Sequence, residues 1–122
     1  MSLLSVIASA IGWSALGQRV VIKVTDAADG TFIGRTLSAS VAVIEPSGVA
    51  ELQLKTPTLV GDVEARVLFA RPRHVGFDFG HLLFGRIAVV LEAVDGAGLR
   101  HSIAIADLKR ESATAEVGQE QA

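Results

Sequence analysis

From Arg19 onward the apolar residues recur with a period of two, in short runs separated by turn-forming residues. Side chains two residues apart share one face of an extended strand, so this pattern restricts the chain to half-buried β-structure. Val20, Ile22 and Val24 alternate with Arg19, Lys23 and Thr25. Over 33–44, Ile33, Leu37, Ala39, Val41 and Val43 alternate with Thr36, Ser38 and Ser40. Over 49–55, Ala50, Leu52 and Leu54 alternate with Glu51, Gln53 and Lys55. Val63, Ala65, Val67 and Phe69 then alternate with Glu64 and Arg66, and Leu99, Ile103 and Ile105 face one way with His101 between them. Residues 87–94 are almost continuously apolar, as in a strand covered on both sides or lying in an interface.

The punctuation agrees with this reading. Asp26 to Gly30, Pro46-Ser47-Gly48, Gly61-Asp62 and Asp95-Gly96-Ala97-Gly98 supply residues that tolerate tight turns and positive φ. About six short strands with no alternating helices predict a mainly β fold, a small antiparallel barrel or sandwich. The turn between 33–44 and 49–55 is short enough to make them a hairpin. No internal repeat is present.

Met1 to Gly17 carries no charge. Leu3, Leu4, Ile7 and Ile11 form one helical stripe, with Ser2, Ser5, Ser9 and Gly12 opposite. The segment lacks the basic start of a secretory signal and the length of a membrane span. It is expected to be a helix over 1–17 that caps the domain, with membrane contact through 1–17 as the less favoured alternative. Residues 18–110 form the barrel or sandwich domain, and 111–122, polar and aperiodic, form a mobile tail. A helix followed by a compact set of strands, with the Asp29-Gly30-Thr31 turn and Gly34 after it, resembles SH3-like and Sm-like barrels in layout only. A cytoplasmic domain is the expectation, with peripheral membrane attachment the alternative.

The chain has 122 residues, the length of one domain, of which 50% are hydrophobic and 20% charged. Globular domains average about 25% charged residues, and a small one has little interior in which to hide the apolar surplus. Some apolar surface is therefore expected to meet a second copy or a partner protein. Formal net charge is −2, against the basic field of a nucleic-acid binder, although eight of the eleven basic residues are Arg. Zero Cys excludes disulfides, thiolate metal sites and cysteine nucleophiles. Phosphate-binding glycine loops and nucleophile elbows are missing too, and no cofactor is implied. Glu51, Glu64 and Glu92 occupy outward strand positions, where solvation is the default.

Residues 71–86 break the alternation. They hold Phe77, Phe79 and Phe84 together with Leu82 and Leu83, and two fates are open to this set: a second core, or an exposed anchor at an interface. Val90 joins the interface candidates. Arg71, Arg73 and Arg86 would form a rim able to bind an anion. His74, Asp78 and His81 are the only candidates for a metal or acid–base site, with His101 a conceivable third imidazole. Gly76 and Gly80 deny them regular helical spacing. The leading expectation is a non-catalytic assembly or adaptor module that self-associates or docks a protein through 71–86 and 87–94. The alternatives are a ligand- or RNA-binding barrel using Arg35, Arg71, Arg73, Arg86 and Arg100, and an enzyme at His74, Asp78 and His81.

Overall fold

Each alternating run forms a strand, and each strand pairs with the next. The computed structural model describes residues 16–74, 76, 79, 82 and 85–111. The strands are β1 (Arg19–Ala27), β2 (Thr36–Ile44), β3 (Ala50–Val60), β4 (Val63–Pro72), β5 (Arg86–Val94) and β6 (Arg100–Arg110). All pairings are antiparallel, and β6 returns to β1, so the sheet closes into a six-stranded barrel in plain sequential order. Of the two architectures open in the sequence, this is the barrel. Closure removes the free edges that an open sheet exposes.

The interior is built from alternate residues: Val20, Ile22 and Val24 on β1, Leu37, Ala39 and Val41 on β2, Ala50, Leu52 and Leu54 on β3, and Ile87, Val89 and Leu91 on β5. From β4 and β6 it takes Leu68 and Ala70, and Ala104, Ala106 and Leu108. A narrow barrel has room for small residues opposite large ones, which the alanines supply. In an up-and-down barrel the loops alternate between ends. Phe32, 4% exposed, comes from the β1–β2 connection at one end. Phe79 and Leu82 come from the β4–β5 connection at the other.

Ile33, expected to open the second strand, instead ends a single 3-10 turn over Gly30–Phe32 and is exposed. Asp29 causes this: its Oδ1 accepts bonds from Thr31 N (3.0 Å) and Thr31 Oγ1 (2.7 Å), and Thr36 becomes the first strand residue. Between β3 and β4 the turn contains only Gly61 and Asp62. Gly61 has φ +60 while Asp62 does not have a positive φ, the geometry of a II′ hairpin. Both strand prolines are where a missing N–H does no harm. Pro57 lies in the β3 irregularity, and Pro72 lies beyond Ala70, the last β4 residue paired to β3. The helix expected over 1–17 and the tail expected over 111–122 fall outside the described residues, except for Leu16, Gly17 and Glu111. Among the described residues no helix is long and apolar enough to cross a membrane.

Candidate functional site

Barrel closure is uneven along β4. Its seam with β5 consists of four pairs, from Phe69↔Glu92 to Pro72↔Val89. Below Phe69, β4 continues to Val63 beside β3 alone, while β5 continues to Val94 beside β6 alone. Two irregularities account for the parting. β3 carries extra residues between Gln53 and Thr58, and the β5–β6 register shifts between Leu91 and Glu92. Bulges bend and twist the strands that carry them. Both fall next to the last rung of the seam, so the β3–β4 and β5–β6 hairpins diverge from that rung.

The divergence leaves a cleft of about 530 Å³. Val60, Val63, Ala65, Val67 and Phe69 line one side, and Ala93, Val94 and Ile103 the other. Val60, Ala65, Ala93 and Ile103 also pack on the core, so the cleft floor is continuous with it. Glu51, Glu64, Arg66, Asp95 and His101 supply the polar groups. The row Val63, Ala65, Val67 and Phe69, which the alternation marks as the buried face of its strand, points out of the barrel into this cleft. Leu68 and Ala70 take the inner face. Likewise Ile103 and Ile105 share a face, as expected, but it is the outer one.

The backbone of β4 has a definite phase here. Arg73 N–H donates to Ala88 O (2.9 Å), so its hydrogen-bonding groups point toward β5. Alternation then aims those of Phe69 and Arg71 the same way. Beyond the shift between Gln53 and Thr58 the two-residue turn sets the phase instead: Val60↔Val63 and Thr58↔Ala65 are its hydrogen-bonded pairs, and Glu64 between them turns its N–H and C=O away from β3. The Arg66 carbonyl accepts from Gln53 Nε2 on β3 (3.3 Å). Among the described residues, no strand other than β3 pairs with β4 below Phe69.

A cluster of charged groups holds the seam where it ends. Arg71 lies 3.1 Å from Glu92, whose side chain is only 13% exposed, so this carboxylate is not the solvated group expected from its strand position. Arg100 stacks on the Phe69 ring, 3.8 Å from its centroid. The same guanidinium donates to both Glu45 oxygens, Nη1 to Oε1 at 2.8 Å and Nη2 to Oε2 at 2.6 Å. This fork holds the Glu45 carboxyl below its ordinary pKa and raises that of Arg100. At the cleft mouth Asp95 organises the β5–β6 turn. Its Oδ1 accepts from Ala97 N (2.8 Å) and Leu99 N (2.9 Å), and its Oδ2 is 2.5 Å from His101 Nε2. The Leu99 amide first, then His101, lowers the Asp95 pKa.

The residues singled out in the sequence are distributed differently. Phe79 and Leu82, 1% and 2% exposed, belong to the core cluster, the core fate of the two that the sequence left open. Phe77, Leu83 and Phe84 lie outside the described residues, as do Asp78 and His81. His74 is exposed, and among the described residues no group of three metal-ligating side chains is brought together. Arg73 is exposed, whereas Arg71 faces Glu92 and Arg86 lies 3.9 Å from Asp107. Val90 is half-buried in a shallow hollow of about 470 Å³ beside Ala27, Ile103 and Ile105. Sequence reasoning missed the cleft because its apolar row reads as core. The available signal was a surplus: Leu68 and Ala70 form a second apolar row on the same strand. The chain matches no protein-family model, no curated protein and no solved structure.

Proposed function

We propose that this domain is a non-catalytic association module, and that its docking surface is the cleft beside the open half of β4. There an extended protein segment adds to the sheet as a further strand. The observation that carries this reading is the half of β4 below Phe69 that has β3 alone beside it, set against an apolar cleft. An unpaired strand edge is a template for another chain, and main-chain bonds supply affinity while alternate side chains supply selectivity. Val63, 57% exposed, is the apolar side chain such a segment would cover. The arginine-based alternative gains less support, because Arg71, Arg86 and Arg100 each face a carboxylate.

A displayed library of extended peptides tests the proposal. Binders should shift the amide signals along β4 from Val63 to Leu68 and slow the exchange of the Glu64 N–H with solvent. Glu64→Pro should abolish the binding, because it deletes an N–H that faces away from β3. An absence of binders, or binders that map to 71–86 and ignore Glu64→Pro, would overturn it.

A further inference from the structure

We infer that the protein segment received by this cleft carries a basic residue between apolar ones, with the basic side chain opposed to Glu64. This rests on the reading of the cleft as an association surface and adds the chemistry of the occupant. Glu51, Glu64 and Asp95 line the cleft against a single guanidinium, that of Arg66, while His101 is tied to Asp95. The seam above adds nothing to the balance, since Arg71 pairs with Glu92 and Arg100 with Glu45. Among the described residues outside the cleft and this seam, basic side chains outnumber acidic ones. The acidity is therefore local to the cleft and is not shared by the rest of the barrel. Neither Glu51 nor Glu64 is ion-paired among the described residues, and Glu64 is exposed.

The backbone fixes where the cation falls. Glu64 turns its N–H and C=O away from β3, so a strand added at this edge bonds at Glu64. In an antiparallel pairing, the residue that exchanges these bonds lies directly across from Glu64, with both side chains on one face. A carboxylate at that position would meet a like charge, whereas lysine or arginine makes the favourable pair. Successive strand residues point to opposite faces, so the neighbours of that cation fall on the face of Val63 and Ala65, toward the apolar cleft. Two residues further along, toward Arg66, a second cation would again meet a like charge. A charged residue on an open edge discourages indiscriminate pairing, and this one admits the segment that neutralises it.

Capped peptides of alternating valine and threonine, differing only in lysine, glutamine or glutamate at a central threonine position, test this by amide-shift titration of the full chain. The lysine peptide should bind roughly tenfold more tightly than the glutamate peptide, with glutamine between them. Added salt should narrow the gap, because these charges are exposed. Glu64→Lys should reverse the order, and its gain for the glutamate peptide also shows that the variant folds. Equal affinities, or an order that Glu64→Lys leaves unchanged, overturn the inference while the docking reading stands. If none of these peptides binds, the binders selected from the displayed library decide. Binders with a basic residue between apolar ones that weaken in Glu64→Lys uphold the inference, and binders without that residue sink it alone. A library that yields no binders sinks the docking reading with it.

Discussion

From Phe69 to Pro72, β4 is flanked by β5, while from Val63 to Leu68 it has only β3 for a neighbour. Both halves mix apolar and charged residues, and only 63–67 alternates them strictly. The neighbours differ. At the sealed half β5 runs alongside in register, and Arg71, Glu92, Arg100 and Phe69 knit the strands across their outer face. At the open half both neighbouring hairpins have bent away through their bulges. A barrel is therefore only as closed as the registers of its neighbouring strands allow. An edge that a closed fold should lack is recreated where two bulges coincide.

The largest effect should separate the faces of the open half from its edge. Leu68 is fully buried although it lies where β5 has parted from β4, so Leu68→Ala should cost about 2–5 kcal/mol in urea unfolding. Val67→Ala, one residue away on the cleft side, should cost under about 1 kcal/mol, since that side chain is already half-exposed. Equal costs would mean that the open half is not packed on the core. Proline substitution compares the edges directly. Arg71→Pro removes an N–H aimed at β5 and should destabilise by about 1–3 kcal/mol, whereas Glu64→Pro should stay within about 1 kcal/mol.

Amide exchange sharpens the same contrast without mutation. The N–H of Glu64, which no strand accepts, should exchange orders of magnitude faster than those of Phe69 and Arg71. Uniform protection along β4 would show that something already covers the open edge.

The smallest effect is electrostatic. The Glu45 carboxyl is held below its ordinary pKa by Arg100, and that of Asp95 by the Leu99 amide and His101. A carboxyl whose pKa is depressed in the folded state contributes stability above its unfolded pKa and loses it as pH falls through the folded value. The melting temperature should therefore drop as pH falls from about 5 toward 2. Glu45→Gln should flatten part of that drop and leave the neutral-pH exchange of the Glu64 N–H unchanged. A melting curve of identical acid slope in the variant would remove Glu45 from the seam.

Much of the fold was legible because its causes are local. Asp95 and Gly98, at φ +84, make the β5–β6 turn whatever surrounds them, and Val20, Ile22 and Val24 face inward as their alternation implies. The 3-10 turn that displaces Ile33 was hidden because Asp29-Gly30-Thr31 reads equally well as a simple bend. Little of the cleft was legible. Its residues on β3, β4, β5 and β6 meet only through pairings between distant parts of the chain, and the apolar surplus pointed instead to 71–86. There Phe79 and Leu82 turned out to fill the barrel end.

The sequence by itself determined that this protein is a set of about six antiparallel strands, because period-two patterning and turn residues act over a few neighbours. It also determined that apolar side chains outnumber the places inside so small a domain. Only the tertiary structure decided which of two apolar rows on β4 faces inward. The interior is narrow, and Leu68 and Ala70 fill it alongside Ala104, Ala106 and Leu108, leaving Val63, Val67 and Phe69 outside and Ala65 on the cleft floor. It also decided where the sheet parts, since a bulge in β3 and another between β5 and β6 act together only after the barrel has brought them to the same rung.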